Sequence, residues 1–427
     1  MALRRTSGLV PPSIERPPPA INVLDAIAIP HPERQKVAPV PAAVSPPMFE
    51  SPSMPPSPAP LADPDRLAGS VLVGGFDGTT LPIVLAERLA RGHLAGVIVF
   101  RRNLGPLEAL CALSQAVAAA GPPDGPAPLF SLDQEGGRVA RLGPPVVRLP
   151  PMRTLGRADD LDLTTRCGRV LGAELSALGV TLNFAPVCDV DSNPDNPVIG
   201  DRAFGVRPET VAAHAVAFLR GMQSAGVAAC AKHFPGHGDT SADSHLTLPV
   251  LGHPRERLEA VELAPFRAAF AAGVATVMTA HVRFDALDPD VPATLSPRVV
   301  EGLLRGDLAV GRDDLVIVAD DLLMRAVADA WTVEDAAVAA IAAGCDLLLV
   351  CADPAAQERA RLGLADRARR DPGFCARLAA AAGRVTALRT RYQAPKASAE
   401  ALHRLADTPV RRALETSLRG VEEAPLT

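Results

Sequence analysis

Eight short apolar runs, each followed by a longer helical stretch, restrict the fold of this chain more than any other feature. The runs are rich in Val, Leu, Ile and Ala without regular polar alternation, as expected for strands that are buried on both faces. Amphipathic stretches separate them, which favours parallel strands joined by helices. The predicted strands are Gly69–Gly74, Gly96–Phe100, Pro128–Leu132, Leu182–Val187, Ala228–Ala231, Ala275–Thr279, Leu315–Ala319 and Asp346–Cys351.

Eight strand–helix units predict an α/β protein with a closed (β/α)₈ barrel of the TIM type. An open, doubly wound sheet is the alternative, because strand counts from one sequence can be wrong by one or two. Among the predicted helices are Leu258–Ala272 and Pro297–Leu304. We expect a single barrel domain over residues 65–395 and a C-terminal helical tail over residues 396–427.

The first 64 residues differ in composition from the rest, because they hold 17 of the 43 prolines. Proline at this density removes backbone donors and blocks helices. We therefore predict that residues 1–64 are a disordered, Pro-rich extension.

Charge and cysteine content limit the partners and the compartment. The net charge is −5 with no long basic run, which argues against nucleic acid as a partner. No apolar run of about 20 residues predicts a membrane span, and no apolar segment at the N-terminus predicts a secretory signal. The seven cysteines are scattered and lack a CxxC motif, which favours a reducing compartment. We expect a monomeric, cytoplasmic protein without a cofactor or a bound metal.

Polar clusters follow five of the predicted strands, and in a barrel such ends meet on one face. These clusters begin at Asp133, Asp189, Lys232, His281 and Asp320. The richest cluster, residues 232–245, reads Lys-His-Phe-Pro-Gly-His-Gly-Asp-Thr-Ser-Ala-Asp-Ser-His. Lys232 is one of only three lysines beside 40 arginines, which indicates a position that needs a compact ammonium.

The residue types in these clusters suit a carbohydrate. Aspartate, arginine, lysine and histidine can hydrogen-bond neighbouring hydroxyls from fixed directions. The sequence has no Walker-type phosphate loop, and no GxGxxG motif opens a helix after the first strand. A carbohydrate is therefore the expected partner.

Four motifs together resemble the glycoside hydrolase family 3 β-N-acetylglucosaminidases. They are Asp-Gln-Glu-Gly-Gly-Arg-Val from Asp133, Asn-Phe-Ala-Pro-Val-x-Asp-Val from Asn183, the block from Lys232 to His245, and Ala-Asp-Asp-Leu from Ala319. The resemblance extends over roughly residues 66–390. It implies a TIM barrel that hydrolyses terminal β-linked N-acetylglucosamine. In a bacterial cytoplasm, the implied substrates are anhydro-muropeptides from cell-wall recycling.

The resemblance also implies roles for individual residues. Asp320 is the expected nucleophile, and His245, oriented by Asp243, is the expected acid/base. The residues expected to bind the sugar are Asp133, Arg141, Arg202, Lys232 and His233. Two positions depart from the family pattern, since Ala319 and Ala203 each stand where serine is usual. Both changes replace a hydroxyl by a methyl group near the site and leave the proposed catalytic groups in place.

Several alternatives stay open from the sequence. His237, Asp239, Asp243 and His245 have the right ligand types for a metal, although their spacing fits no common zinc pattern. The substrate's acetamido group could replace Asp320 as the nucleophile. Phosphate could replace water, because a histidine repels it less than a carboxylate does. A broader β-glucosidase and a non-catalytic sugar-binding protein complete the set.

Overall fold

The computed structural model describes residues 63–423, and the predicted disorder of the N-terminal extension lies almost wholly outside them. Eight parallel strands close into a barrel in which strands that follow each other in sequence are neighbours. The predicted (β/α)₈ barrel is therefore confirmed over the open sheet. Its strands are β1 (Leu72–Gly74), β2 (Gly96–Val99), β3 (Leu129–Leu132), β4 (Leu182–Asn183), β5 (Ala228–Phe234), β6 (Thr276–Thr279), β7 (Val316–Ala319) and β8 (Leu347–Val350).

Helices cover the outside of the barrel. They are α1 (Pro64–Gly69), α2 (Ile83–Ala90), α3 (Leu107–Ala119), α4 (Met152–Ala158), α5 (Leu161–Ala177), α6 (Pro208–Ser224), α7 (Arg255–Ala260), α8 (Leu263–Ala271), α9 (Arg325–Ala328), α10 (Val333–Ala343), α11 (Pro354–Arg370), α12 (Pro372–Arg391), α13 (Ala399–Ala406) and α14 (Pro409–Glu423). A wider helix with π-type turns, Arg298–Leu308, precedes β7. None of the helices within residues 63–423 combines the length and the apolar composition that a membrane crossing needs.

The predicted bounds of one helix and one strand need correction. The predicted helix Leu258–Ala272 is two helices, α7 and α8. Pro265 explains the interruption, because proline lacks an N–H and its ring clashes with the preceding turn, so it is tolerated only near a helix start. The predicted strand Gly69–Gly74 begins three residues late, since Gly69 ends α1.

Side chains of a strand alternate between two apolar layers. Val97 and Val99 of β2 pack outward in the layer under the helices, whereas Ile98 packs inward. The inward layer also contains Val385 and Leu388 of α12. Strands buried on both faces explain why the apolar runs in the sequence are unbroken.

The last two helices belong to the same apolar core as the barrel. Leu402 of α13 and Leu414 of α14 are buried in the outer layer. Arg411 of α14 is also buried and pairs with Glu174 of α5 at 2.6 Å. The domain boundary predicted at residue 395 stays a prediction.

Candidate active site

A cavity of about 330 Å³ lies at the carboxyl ends of the barrel strands. Seven of the eight residues predicted for the site line it, and the eighth, Asp243, contacts one of the seven. The lining residues from that set are Asp133, Arg141, Arg202, Lys232, His233, His245 and Asp320. The topology thus brings together side chains that lie up to 187 positions apart in the sequence.

A network of opposite charges forms one wall of the cavity. The Lys232 ammonium lies 2.8 Å from an oxygen of Asp133 and 2.7 Å from an oxygen of Glu135. Arg202 donates two hydrogen bonds to Glu135, at 2.9 and 2.8 Å, and Arg141 donates one to Asp133 at 3.2 Å. Burial opposes ionisation of Glu135, but the charges of Arg202 and Lys232 outweigh it and hold the pKa of this carboxyl well below its usual range.

His233 is held from behind by a buried aspartate. Its Nδ1 donates to Asp189 at 2.7 Å, and Asp189 also accepts from the backbone N–H groups of His233 and His237. Burial alone would raise the pKa of Asp189, but these interactions lower it. With Nδ1 bound to the carboxylate, the other ring nitrogen of His233 is available for a ligand.

The adjacent residues Asp320 and Asp321 have different environments. Burial works against the charge of Asp320, yet His281 and His233 lower the pKa of its carboxyl, so it is ionised at neutral pH. The carboxyl of Asp321 instead accepts from the backbone N–H groups of Leu323 and Cys351, and burial raises its pKa. Both residues line the cavity, but of the two only Asp320 has a carboxyl whose pKa is lowered.

Asp243 and His245 lie on a loop of residues 236–247 beside the cavity. His245 Nδ1 donates to Asp243 at 2.8 Å, and the His245 backbone N–H donates to the same oxygen at 2.8 Å. These bonds hold the pKa of Asp243 below its usual value against the effect of burial. The His245 side chain is 65% exposed, so it is the most accessible polar group of the pair.

The start of the 236–247 loop is fastened to α7 and to the residues that flank this helix. Asp239 accepts from His253 at 2.6 Å and from Arg257 at 3.2 Å, and Arg257 also donates to the buried Glu262 at 2.8 Å. Gly238 lets the loop pass close to the backbone of Val190, because a Cβ at position 238 would lie 1.7 Å from the Val190 carbonyl oxygen. The loop therefore leaves the barrel in a fixed direction.

The four residues of the metal-site hypothesis have separate partners. His237 contacts Thr240 and Ser244, Asp239 contacts His253, and Asp243 contacts His245. Within residues 63–423, no group of three or more His, Cys, Asp or Glu side chains is arranged to hold a metal ion.

Three residues of the site were assigned no role from the sequence, although Asp189 and His281 were placed at strand ends. Glu135 neutralises Lys232 and Arg202, Asp189 orients His233, and His281 contacts the backbone of the nucleophile segment through Asp321 O at 3.0 Å. The sequence does carry a signal for Glu135, because it lies two positions after Asp133 in the same motif at a strand end.

Residues 80–386 match the model of the glycosyl hydrolase family 3 N-terminal domain. This chain belongs to glycosyl hydrolase family 3. Its relatives include a β-hexosaminidase from Pseudomonas aeruginosa, 40% identical over 305 residues, which are 70% of this chain and 87% of the relative. A β-hexosaminidase from Nitrosomonas eutropha is 40% identical over 283 residues, or 65% of this chain and 79% of the relative.

Solved structures of family 3 members are also similar. A β-N-acetylglucosaminidase from Paenibacillus sp. superposes with a TM-score of 0.76 and 40% identity, over 84% of this chain and 68% of the other. NagZ from Neisseria gonorrhoeae, in complex with N-trifluoroacetyl-D-glucosamine, superposes with a TM-score of 0.67 and 32% identity, over 83% of this chain and 98% of the other. The predicted family is confirmed, and this family 3 member is a glycoside hydrolase of the β-N-acetylhexosaminidase type.

Proposed function

We propose that this family 3 hydrolase is a retaining exo-β-N-acetylglucosaminidase that acts through a covalent glycosyl–Asp320 intermediate. One observation carries the proposal: the ionised Asp320, directly after β7, and His245, which is paired with Asp243 on the loop after β5, line one cavity of small-ligand size. A nucleophile and a proton donor at one site are what a retaining glycosidase requires.

The charged wall of the cavity is the proposed sugar-binding surface. Asp133 and Arg141 supply acceptors and donors for ring hydroxyls, and both side chains line the cavity and are partly exposed, at 15% and 23%. Lys232 and Arg202 hold Asp133 and Glu135 in position through ion pairs.

Asp320 is the proposed nucleophile of the first step. One of its carboxylate oxygens bonds to C1 of the sugar as the glycosidic C1–O bond breaks. The other accepts the backbone N–H of Asp321 at 2.8 Å, which holds the carboxylate in one orientation. Because Asp320 follows directly after β7, it is carried by a rigid strand.

His245 is the proposed acid and then base. Its protonated ring gives a proton to the departing oxygen in the first step and takes one from water in the second, when the C1–Asp320 bond breaks. Asp243 binds Nδ1, so Nε2 is the nitrogen that exchanges the proton, and the carboxylate stabilises the imidazolium.

The proposed natural substrates are anhydro-muropeptides with a terminal N-acetylglucosamine. The similarity to NagZ from Neisseria gonorrhoeae, which was solved with an N-acylated glucosamine, supports the sugar at the cleavage site. The cytoplasmic location and the monomeric state expected from the sequence stay predictions.

The test is mechanism-based trapping on the intact protein. A 5-fluoro-N-acetylglucosaminyl fluoride is incubated with wild type, Asp320→Asn and Asp321→Asn, and the labelled peptide is located by mass spectrometry. We expect an adduct on Asp320 in wild type, loss of labelling in Asp320→Asn, and retained labelling in the matched Asp321→Asn variant.

Turnover of aryl N-acetyl-β-glucosaminide and aryl β-glucoside, with and without phosphate, is measured in parallel. We expect release of free N-acetylglucosamine and about 10²-fold or greater loss of kcat/KM in Asp320→Asn. Full activity of that variant, or inactivation without an adduct, would overturn the covalent route. A sugar 1-phosphate product, or a preference for the glucoside, would overturn hydrolysis of N-acetylglucosaminides.

A further inference from the structure

The 236–247 loop has both buried and exposed polar side chains. Ser244 and His237 are each 3% exposed, whereas Ser241 and His245 on the same loop are exposed. His237 Nε2 lies 3.0 Å from the hydroxyl oxygen of Ser244, and its Nδ1 lies 2.8 Å from the hydroxyl oxygen of Thr240. Both partners are hydroxyls, which donate or accept as needed, so a neutral imidazole is fully satisfied.

Each end of this contact is tied to a different part of the site. The backbone N–H of His237 donates to Asp189, the carboxylate that orients His233, at 2.7 Å. The carbonyl oxygen of Ser244 accepts the backbone N–H of Ala326 at 3.3 Å, six residues after Asp320. These contacts therefore fix the position of Ser244 relative to both the sugar-binding wall and the segment that carries the nucleophile.

We propose that the Ser244–His237 contact is a latch that positions the acid/base pair against the nucleophile. Ser244 stands between Asp243 and His245 in the chain, so fixing its side chain and its carbonyl fixes the backbone that carries both. His237 and Ser244 act through His245 and are positioning residues. This inference rests on the proposed function of His245.

A neutral latch suits a loop that must release a product. Burial, together with the nearby imidazole of His233, lowers the pKa of His237 to about 4, so the His237 ring is uncharged at neutral pH. A hydrogen bond between neutral groups is modest in strength, and it can break and reform in each catalytic cycle. A charged pair at the same place would cost more to separate.

The experiment compares leaving groups, because proton donation matters only for poor ones. kcat/KM is measured with a 2,4-dinitrophenyl N-acetyl-β-glucosaminide, which needs no acid, and with chitobiose, which does. The variants are Ser244→Ala, His237→Phe, His237→Gln and the matched control Ser241→Ala. Ser241 is an exposed serine of the same loop.

We expect Ser244→Ala and His237→Phe to lower kcat/KM for chitobiose about tenfold, the value of one hydrogen bond, and for the dinitrophenyl glycoside less than about twofold. His237→Gln, which keeps a donor near the Nε2 position, restores most of the chitobiose activity, and Ser241→Ala changes neither substrate. Equal losses on both substrates would show a merely structural role and overturn the latch.

His245→Ala distinguishes failure of the latch from failure of the proposed function. If His245→Ala loses chitobiose activity selectively but Ser244→Ala does not, the latch is wrong and the acid/base assignment stands. If His245→Ala shows no dependence on the leaving group, the acid/base assignment fails, and the latch fails with it.

Discussion

Lys232 is the cation on which two carboxylates of the cavity depend. Its ammonium is 2% exposed and bridges Asp133 and Glu135. A guanidinium is planar and wider, so arginine cannot occupy the same point between the two oxygens. We therefore expect Lys232→Arg to reduce kcat/KM by about 10²-fold or more, as expected when a buried ionic contact is misplaced. Steady-state kinetics check this, and Lys396→Arg, the same substitution at an exposed lysine, should leave activity unchanged.

His237 predicts a pH dependence of stability. Its pKa is about 4 in the folded chain and about 6.5 when unfolded, so between these values the unfolded chain binds a proton that the folded chain excludes. The contribution of this residue to the free energy of unfolding has its full value above pH 6.5. It falls as the pH decreases toward 4, by at most about 1.4 kcal/mol per pH unit.

The effect of His237 is measured as the difference in the free energy of unfolding between two proteins, so that the contributions of the other titrating groups cancel. Urea unfolding of wild type and His237→Gln is compared from pH 5 to pH 8. The free energy of unfolding of wild type should exceed that of the variant by a constant amount above pH 7, and this difference should shrink below pH 6.5. A constant advantage at every pH would contradict the lowered pKa, and His403→Gln, at an exposed histidine, controls for the substitution itself.

Some contacts at this scale lie beyond any sequence pattern. A spacing of two residues on an irregular loop does not determine whether Asp243 touches His245, although the two are in contact at 2.8 Å. Likewise, Asp189 precedes His233 by 44 positions, and only the adjacency of β4 and β5 brings them together. The placement of Lys232 at the carboxyl-terminal part of β5, by contrast, follows from the apolar run before it, although β5 continues to Phe234, three residues beyond the predicted end.

At the scale of elements, the 236–247 loop depends on the helix that follows it. Arg257 of α7 bridges Asp239 on the loop and the buried Glu262. Arg257→Leu leaves both carboxylates without this partner, and we expect amide hydrogen exchange over residues 239–247 to accelerate about tenfold, with a several-fold drop in kcat/KM. Hydrogen exchange with mass spectrometry measures the first effect.

Arg255 provides the matched control on the same helix. It pairs with Glu259, and both side chains are about half exposed, so Arg255→Leu should change stability by less than about 0.5 kcal/mol and leave exchange in the loop unaltered. If Arg257→Leu and Arg255→Leu behave alike, the loop is not anchored through α7.

Strands and helices could be predicted where a single local sequence pattern determines them. All eight barrel strands follow from apolar runs, because a strand buried on both faces has no polar alternative. The break between α7 and α8 required attention to Pro265 inside an otherwise periodic segment. The helix predicted over Pro297–Leu304 is longer in the structure, where it covers Arg298–Leu308 with π-type turns. This difference could not be predicted, because no residue type marks the wider turn of a π-helix.

For the whole molecule, the barrel follows from the count and the order of the strands, but the way in which the C-terminal helices pack does not. Parallel strands joined by right-handed crossovers leave few arrangements, and closure needs eight of them. The docking of α14 on α5 depends instead on the burial of Arg411 against Glu174, two residues that are 237 positions apart. Nothing in the local sequence selects this pair.

That pair predicts how strongly α14 supports the barrel. Glu174 is 1% exposed and also accepts the backbone N–H of Val147 at 2.6 Å, while burial raises its pKa. Arg411→Met leaves the carboxylate buried without its cation, at a cost of about 3–5 kcal/mol. For a domain of this size we expect Tm to fall by about 5 °C, measured by scanning calorimetry.

Arg412 and Glu174 supply the controls for this effect. Arg412→Met breaks an ion pair with Asp407 in which both side chains are more than half exposed, so Tm should move by less than about 1 °C. Adding Glu174→Gln to Arg411→Met removes the unpaired charge and should recover part of the loss. If Arg411→Met melts like wild type, α14 unfolds independently, and the barrel is stable without its C-terminal helix.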